Sequence, residues 1–302
     1  MAGRVSGMSM SALTALSIVL CAALPCTAQT PDYTIRTKTT EVQLEFSVTD
    51  RSGHRVLHLT EEDIAVVDNG EVIRHFRSFR SAQELPVHLV IIIDNSDSMA
   101  KRLARTLDGV SKILTSDIWG KNDRVSVLAF KDTRVVSICL QDCQREGSRV
   151  LQGIGGTRAS PLFDAVVSAA KLLEQTRDPQ YRLGILVITD GMDNISLNTS
   201  SSSLAAVQAI GAPIYMLGVE DERLGLDGNN SFSPLAELSG GFLLPMQSSI
   251  TVSLALVLQD MRECFILSYE LPHGALRRHS VSILPRKDPQ LIFRSRLGYG
   301  GN

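Results

Sequence analysis

The stretch His88–Ala104, HLVIIIDNSDSMAKRLA, places an unbroken apolar run directly before an acid and two serines, and then continues with helical spacing. A continuous apolar run bounded by polar residues is typical of a strand that is buried on both faces of a parallel sheet. Parallel strands need crossover connections, and the helical spacing that follows fits such a connection. The stretch therefore predicts an α/β domain, and it raises the question of what Asp94 does at the end of the strand.

The sequence beyond Pro86 alternates strand-like runs with helical stretches, which predicts a doubly wound, mainly parallel sheet over residues 85–261. The predicted strands are VHLVIII, RVSVLAF, RVVSICL, RLGILVIT, PIYMLGV and a weaker GFLLP. Only Lys131, Asp132 and Thr133 separate the second run from the third, which is too short for a crossover. These two runs are therefore predicted to form an antiparallel hairpin at the edge of the sheet.

The overall composition is that of a folded protein without a strong electric field. The chain has 302 residues, of which 44% are hydrophobic, and its formal net charge is -2. A chain of this kind can bury one large core or two smaller ones. Its charge gives no basis for attracting nucleic acid or an anionic membrane surface.

Residues 1–28 have the pattern of an export signal that is removed from the mature protein. Arg4 supplies a positive charge, ALTALSIVLCAALP an apolar core, and CTA small residues before Gln29. The apolar core is short for a membrane span. We therefore expect cleavage, no stable membrane span afterwards, and a periplasmic or secreted protein. The alternatives are an uncleaved membrane anchor and, ranked lower, a lipid anchor on Cys26, which follows Pro25.

Signal removal would leave three cysteines, which are Cys139, Cys143 and Cys264. An odd number leaves at least one that is free or paired outside the chain. Cys139 and Cys143 are close enough to bridge a loop in an oxidising compartment, or they are simply buried thiols. No Cys/His cluster has the spacing of a zinc site.

Residues 34–82 are predicted to form a small β-rich segment. VQLEFSVTD alternates apolar and polar residues from Val42 to Val48, as a half-buried strand does. Asn69-Gly70 lies between two alternating runs and is a strong hairpin signal. A single hairpin is not stable alone, so this segment must pack against another part of the chain.

Asp94 and Asp190 are predicted to converge, because each follows a strand and the two strands are neighbours in the commonest order. In doubly wound sheets, ligands bind outside the carboxyl ends of the strands, where the strand order reverses. Two carboxylates at that position repel each other unless a cation lies between them. The spacing Asp-x-Ser-x-Ser adds the hydroxyls of Ser96 and Ser98, and such hard oxygen donors suit Mg²⁺ or Mn²⁺.

The motifs DNSDS, a Ser or Thr before PLFDA, and ITDG together resemble the metal-ion-dependent adhesion site of von Willebrand factor type A domains. The resemblance implies a middle hydroxyl ligand two residues before Leu162, a position that Ser160 occupies. Thr157, which follows the glycines, ranks second. The metal ligands implied for this sequence are thus Asp94, Ser96, Ser98, Ser160 or Thr157, and Asp190.

The resemblance also implies roles for residues around the metal. Asp164 is expected to cap or steady the helix that it begins, while Asp193 and Asn194 hold the ligands in place. The loops that would choose a partner are Asn95–Ala100, Gly153–Pro161 and Gly191–Ser203. The last loop is rich in Ser, Thr and Asn, which predicts a polar contact rim.

The flanking sequences resemble those of a bacterial subgroup related to von Willebrand factor A. The similar stretches are SVTDRSGHRVLHLTEEDIAVVDNGEVIRHF before the domain, and FILSYELP and RSRLGY after it. Because both flanks are β-rich in this subgroup, we expect residues 34–82 and 262–302 to pair into one sandwich-like unit that carries the α/β domain as an insertion. The C-terminal basic residues are expected to form a solvated face, with binding of an anionic partner as the lower-ranked alternative: Arg277, Arg278, Arg286, Lys287, Arg294 and Arg296.

The function implied is that of an exported protein-binding or adhesion module, in which an acidic side chain of a protein partner completes the metal shell. A structural or assembly protein with a non-functional metal site is the second hypothesis. A Mg²⁺-dependent hydrolase or phosphotransferase ranks lowest, because such enzymes have a second Asp where this chain has Ser96. Nor does the sequence contain a Gly-rich phosphate loop with Lys or a serine nucleophile elbow.

Overall fold

The computed structural model describes residues 41–218, 233–245, 249–271 and 278–300. The predicted signal segment, residues 1–28, therefore lies outside the described residues, as do the first residues of the N-terminal β-rich segment and Arg277. The described residues form a mixed α/β domain with a mainly parallel central sheet, together with additional antiparallel sheets. The predicted fold class is confirmed.

Among the described residues, the strands that precede the α/β domain are β1 (Glu41–Thr49), β2 (Ile64–Asp68), β3 (Glu71–Ile73) and β4 (Ser78–Ser81). Along β1, Val42, Leu44 and Phe46 are buried, as the apolar alternation predicted. Strands β2 and β3 are antiparallel and joined by Asn69 and Gly70, whose φ angles are 48° and 84°. Positive φ at both turn positions favours Asn and Gly, and the predicted hairpin is confirmed.

The central sheet of the described residues has six strands in the order β10-β9-β8-β5-β6-β7. Strands β6 and β7 are antiparallel, and β7 is at the edge, as the short connection between them predicted. The other neighbouring pairs are parallel. The bounds are β5 (Val87–Ile93), β6 (Arg124–Lys131), β7 (Arg134–Cys139), β8 (Arg182–Ile188), β9 (Ile214–Gly218) and β10 (Leu243–Pro245).

Helices cover both faces of this sheet, which explains the continuous apolar run in β5. Leu89 and Ile91 pack in the core that includes helices α1 and α6, whereas Val90 and Ile92 pack in the core that includes α3, α4 and α5. A strand covered on both faces is therefore mostly apolar. The helices are α1 (Ala100–Leu114), the single turn α2 (Cys143–Glu146), α3 (Leu162–Gln175), α4 (Ser200–Ile210), α5 (Ser233–Ser239) and α6 (Ile250–Arg262).

Strands from before and after the α/β domain combine into two antiparallel four-stranded sheets within the described residues. The later strands are β11 (Phe265–Glu270), β12 (His279–Pro285), β13 (Ile292–Ser295) and β14 (Gly298–Tyr299). One sheet has the order β13-β1-β11-β4 and the other β14-β12-β2-β3. Apolar side chains of both sheets form one core. The α/β domain is therefore inserted between the two halves of a β-sandwich.

A buried carboxylate joins these two sheets. Asp68, at the end of β2, accepts hydrogen bonds from the hydroxyls of Tyr269, at 2.7 Å, and Tyr299. It also lies 2.7 Å from Nδ1 of His279. The partners come from β11, β14 and β12, so one N-terminal side chain is held by three strands from the other end of the chain. A buried carboxylate needs such partners to offset its lost hydration.

The C-terminal basic residues do not form one solvated face, so that prediction is wrong for two of them. Arg294 donates to the carboxylate of Asp260, and Arg296 donates to backbone carbonyl oxygens. Arg278, Arg286 and Lys287 are exposed. Strand alternation identifies which residues share a face, but it does not show that the inserted domain covers that face.

Cys139 and Cys143 form a disulfide bond, with 5.6 Å between their Cα atoms. The bond links the end of β7 to helix α2. Cys264 is free and buried. Within the described ranges, no helix has the length and apolar character needed to cross a membrane.

His88 is a buried member of β5 with few polar partners. Its Nε2 atom lies 3.3 Å from the hydroxyl of Ser126, and its Nδ1 atom has no hydrogen-bond partner among the described residues. Burial, together with the nearby charge of Arg124, lowers the pKa of His88 from 6.5 to about 4. The imidazole is therefore neutral in the folded protein at pH values at which an exposed histidine is protonated.

This shift predicts a loss of stability on acidification. Below pH 6.5 the unfolded chain takes up a proton at His88 that the folded chain does not bind until about pH 4. The free energy of unfolding should fall across that window by up to about 3 kcal/mol. Urea unfolding at several pH values between 7 and 4 gives the free energy of unfolding of the wild type and of His88→Gln as a function of pH. The free energy should fall more steeply with acidification in the wild type than in His88→Gln. An equal fall in both proteins would contradict the prediction, and His75→Gln, at an exposed position, is the matched control.

Candidate metal site

Asp94 lies fully buried, directly after β5, at the carboxyl edge of the central sheet. Its backbone N–H donates to the carbonyl of Ile188 in β8, which continues the pairing of the two strands by one residue. Its Oδ1 atom accepts a hydrogen bond of 2.9 Å from the N–H of Ser96. Its Oδ2 atom accepts one of 2.6 Å from the hydroxyl of Thr189. The carboxylate is therefore held in one orientation.

Ser160, and not Thr157, presents its hydroxyl to Asp94. The Oγ of Ser160 lies 3.4 Å from Oδ2 of Asp94, and the residue is buried. Thr157 pairs through its backbone with Asn95, but its hydroxyl donates to the carbonyl of Asp132 at 3.0 Å. The orientation of these two side chains agrees with the ranking of Ser160 first.

The other candidate ligands border the same carboxylate. The hydroxyls of Ser96 and Ser98 are 3.1 Å apart; Ser96 is buried and Ser98 is exposed. Asp190 is half-buried and lies two residues beyond the end of β8. The N–H of Met192 lies 3.4 Å from its Oδ1 atom. The edge of the sheet thus brings together Asp94, Ser96, Ser98, Ser160 and Asp190 from three loops.

The electrostatics of this cluster suit a cation. Burial raises the pKa of Asp94, hydrogen bonds from Ser96 and Thr189 offset part of that rise, and the charge of Asp190 adds to it. A divalent cation between the two carboxylates would remove both unfavourable contributions. Among the described residues, no group of three or more His, Cys, Asp or Glu side chains could hold a metal ion. The donor set offered here is instead two carboxylates and several hydroxyls, which are the hard ligands of Mg²⁺ and Mn²⁺.

Asp193, rather than Asp164, caps helix α3. Its Oδ2 atom accepts from the backbone N–H groups of Leu162, at 2.8 Å, and Phe163, at 3.1 Å. Pro161 precedes the helix and has no side-chain acceptor, so a carboxylate from another loop satisfies these amides. Of the two roles expected for Asp164, capping the helix is therefore wrong, and steadying it stays a prediction.

Asp164 instead fixes the loop that leads into α4. Its carboxylate accepts from the backbone N–H groups of Leu197, at 3.1 Å, and Asn198, at 2.8 Å. Asn194 in the same loop pairs with Ser160: its side-chain oxygen accepts from the N–H of Ser160 at 2.9 Å, and its own N–H donates back to the Ser160 carbonyl. Asn194 thereby positions the backbone of the candidate middle ligand.

Asn95 is a structural residue of the site that the sequence reasoning missed. Its side chain is buried and forms a two-way hydrogen bond with the backbone of Phe130, at 2.9 Å and 2.8 Å. The same amide group donates to the carbonyl of Gly155. It connects the loop after β5 to the loop that carries Ser160. In the sequence, an Asn after a strand looks the same as an ordinary turn residue.

The loop predicted to form a polar rim exposes apolar side chains as well as polar ones. Leu197, Met192 and Ile195, in the loop after β8, are 94%, 59% and 43% exposed. The hydroxyls of this segment are used locally: Ser196 bonds to Asp193, and Thr199 and Ser202 bond to each other at the start of α4. Since the polar groups build the turn, the apolar side chains face solvent. We call Met192, Ile195 and Leu197 the apolar rim.

Residues 89–192 match the family model of the von Willebrand factor type A domain. The chain contains a von Willebrand factor type A domain. The matched range begins in β5 and ends just after Asp190, so it includes all of the candidate metal ligands. Domains of this type typically mediate protein interactions. The matched residues lie within the inserted α/β part of the chain, and we use the name type A domain for that part.

Part of the chain is also similar to a curated protein. The magnesium-chelatase 60 kDa subunit of Rhodobacter capsulatus is 29% identical over 124 residues. The match covers 40% of this chain and 22% of that protein's length. This chain is therefore similar to a minor part of that relative.

Several solved structures resemble the chain at low sequence identity. A von Willebrand factor type A protein from Catenulispora acidiphila has a TM-score of 0.48 and 10% identity, with 88% of this chain and 75% of that chain covered. BatB from Bacteroides thetaiotaomicron has a TM-score of 0.46 and 18% identity, with 58% and 98% covered. An aerotolerance-related membrane protein from Bacteroides fragilis has a TM-score of 0.47 and 17% identity, with 59% and 99% covered.

Asn95→Ala is predicted to destabilise the type A domain. The change leaves the buried N–H of Phe130 without its acceptor and separates two loops of the candidate site. The free energy of unfolding should fall by roughly 2–4 kcal/mol, as measured by urea denaturation. Asn122→Ala at an exposed position is the matched control, with a change within about 0.5 kcal/mol. A similar effect of both substitutions would exclude the role assigned to Asn95.

Proposed function

We propose that the type A domain is a divalent-cation-dependent protein-binding module. The observation that carries this proposal is the arrangement at Asp94, a buried carboxylate whose hydrogen-bond partners are the backbone N–H of Ser96 and the hydroxyls of Ser160 and Thr189. Fixed oxygen donors at the open edge of a sheet form an incomplete shell for a hard cation. Exposed Ser98 and half-buried Asp190 lie at its outer side.

In this proposal the ligands are Asp94, Ser96, Ser98, Ser160 and Asp190, and the metal is Mg²⁺ or Mn²⁺. The bound cation supplies a position that an acidic side chain of a protein partner can fill. Asn194 keeps Ser160 in place and Thr189 keeps Asp94 in place. The chain's own contribution is therefore to hold hydroxyl and carboxylate oxygens in position before a partner arrives, which lowers the cost of binding.

The apolar rim supports a more specific statement about the partner. Exposed Met192, Ile195 and Leu197 lie in the loop that follows Asp190. Exposed apolar side chains are stabilised when a partner covers them, because their surface is then removed from water. We infer that the partner presents an acidic side chain with apolar neighbours, so that the acid contacts the metal and the neighbours cover the rim.

We propose a binding role without catalysis. The residue two positions after Asp94 is a serine, and the carboxylate of Asp94 is engaged by Ser96 and Thr189 rather than presented to a substrate. The relative from Rhodobacter capsulatus is named as a subunit, which fits a part in an assembly. A phosphatase activity that Asp94→Asn abolishes would overturn this part of the proposal.

We also propose that the protein is exported to the periplasm or secreted. Residues 1–28 have the pattern of a signal peptide. The disulfide bond between Cys139 and Cys143 is of a kind that persists in oxidising compartments. An intact Met1 on the protein isolated from its host, as measured by mass spectrometry, would contradict export by this route.

Calorimetric titration of Mg²⁺ and Mn²⁺ into chelator-stripped protein from Gln29 onward tests the metal site. We expect saturable binding of one ion, and a loss of roughly 10- to 100-fold in affinity for Asp190→Ala. Ser160→Ala should weaken binding to a similar degree, because its hydroxyl borders Asp94. Thr157→Ala is the matched control and should leave the affinity nearly unchanged, because its hydroxyl is bonded to Asp132.

The outcomes of this titration separate the hypotheses. Equal losses from Ser160→Ala and Thr157→Ala would contradict the assignment of Ser160 as the middle ligand. Absence of binding in the wild type would favour a structural or assembly protein with a non-functional metal site. Circular dichroism of each variant distinguishes the loss of a ligand from the loss of the fold.

Selection of peptides that carry one central Asp or Glu between random residues tests the partner's chemistry. In Mg²⁺ the wild type should enrich peptides with apolar residues beside the acid, and a chelator should abolish the enrichment. Leu197→Ser should lose the apolar preference but keep its Mg²⁺ affinity, since it changes the rim alone. Val72→Ser, at an exposed apolar position in the sandwich, is the control. Enrichment that persists in chelator would refute metal-dependent capture.

A further inference from the structure

A cavity of about 600 Å³ lies between the type A domain and the β-sandwich. Its wall includes Glu45 and Phe46 of β1, Arg182 at the start of β8, and Tyr215 of β9. Because Arg182 begins a parallel strand and Asp94 follows the end of another, the cavity is at the opposite end of the sheet from the candidate metal site. Its volume is in the range of small-molecule sites.

Arginine side chains outnumber carboxylates around this cavity. Arg182 is buried and pairs with Glu45 at 2.9 Å. Asp260 is also buried and pairs with both Arg55 and Arg294. Arg296 also lines the cavity, and its Nη1 and Nη2 atoms donate to the backbone carbonyls of Gln208 and Gln43, each at 2.6 Å, rather than to a carboxylate.

The resulting local charge is positive. Within the described residues, three guanidinium groups that line the cavity (Arg182, Arg294 and Arg296) face two carboxylates (Glu45 and Asp260), which leaves a difference of one positive charge. Exposed Arg177 and Glu41 at the wall cancel one another. Burial lowers the pKa of Arg296, and the charge of Glu45 offsets that effect only in part. Buried charge without a counter-charge is unfavourable unless a partner of opposite sign is bound.

Two of the arginines that line the cavity retain N–H groups without acceptors. The Nε atoms of Arg182 and Arg296 are buried and have no hydrogen-bond partner among the described residues. Both side chains line the cavity, and Arg182 is only 2% exposed. A guanidinium group bonds an oxyanion through its fixed N–H groups, so unused N–H groups in a positive cavity suit phosphate and carboxylate.

Backbone turns leave the space next to these arginines. Gly211 and Gly240 line the cavity with φ angles of 73° and 89°. A Cβ atom at Gly211 would lie 3.3 Å from Nη1 of Arg296, and one at Gly240 would overlap the backbone of Ser295 and Arg296. Gly240 therefore requires glycine for both conformation and space, whereas Gly211 requires it for conformation, and a side chain there would be in tight contact with Arg296.

We propose that this cavity binds a small oxyanion, phosphate or carboxylate in character, through Arg182 and Arg296. The bound anion balances the excess positive charge and satisfies the unused N–H groups. Because the wall comes from both the type A domain and the β-sandwich, the bound anion also links these two parts of the protein. The site is independent of the metal site in position and in chemistry.

Calorimetric titration of the metal-free protein with inorganic phosphate and with succinate, at constant ionic strength set by chloride, tests the proposal. We expect saturable binding of one anion to the wild type and a raised thermal midpoint. Binding of phosphate but not succinate would identify a phosphate site, and binding of succinate but not phosphate would identify a carboxylate site. Binding of both would show that the site accepts either oxyanion. Asp190→Ala should leave this binding unchanged, so failure of the metal proposal and failure of this one are separable.

Arg296→Gln should weaken binding by about tenfold, because it removes one charged donor. Arg286→Gln makes the same change of charge at an exposed position and should have no effect. Equal effects of the two variants, or absence of saturable binding to the wild type, would overturn the proposal.

Hydrogen exchange of the wild type provides a second measurement in case Arg296→Gln fails to fold. Phosphate should slow exchange at residues 208–215, 239–241 and 294–300 while leaving the loops around Asp94 unchanged. Protection spread over the surface, or no protection of these segments, would count against the site.

Discussion

The burial of β5 on both faces is the constraint on which the rest of the structure depends. Helices α1 and α6 pack on one face of the central sheet and α3, α4 and α5 on the other, and each of the seven residues of β5 is buried. A strand in that position is mostly apolar, and from Leu89 to Ile93 β5 contains apolar residues alone. Asp94 is the next polar side chain after His88, directly beyond the end of the strand, and β8 brings Asp190 to the same edge because the two strands are parallel neighbours.

This geometry places two carboxylates, Asp94 and Asp190, at the candidate metal site. A carboxylate that is kept out of water beside a second carboxylate is unfavourable by itself, and the hydroxyls of Ser96 and Thr189 compensate for only part of the cost. The supporting residues are therefore concerned with fixing loops: Asn95 joins two of them, Asn194 holds Ser160, and Asp193 caps α3. The protein thereby holds a set of oxygen atoms in the arrangement on which the proposed metal site rests.

The β-sandwich has a second effect beyond supporting the inserted domain. Its strands come from both ends of the chain, and Asp68 is held by residues about two hundred positions away. The C-terminal strands of the sandwich also bring Arg294 and Arg296 into contact with the type A domain. At this contact, the carboxylate of Asp260 accepts hydrogen bonds from the hydroxyls of Tyr215 and Ser47. The interface between the two parts is therefore polar and positively charged, in contrast to the apolar cores on either side of it.

The sequence by itself determined the alternation of buried strands and helices, the hairpins at Asn69-Gly70 and at residues 131–133, and the strand-end acids. These features follow from local rules of periodicity, turn chemistry and chain length, so a short window of residues is enough to read them.

Only the tertiary structure decided the features that depend on residues far apart in sequence. It directed the Ser160 hydroxyl to Asp94 and the Thr157 hydroxyl to Asp132, and it gave the helix cap to Asp193 instead of Asp164. It also turned Arg294 and Arg296 inward and left Met192, Ile195 and Leu197 exposed in a loop rich in polar residues. In each case the orientation of a side chain is set by which distant backbone group or charge lies opposite it, and no local pattern in the sequence contains that information.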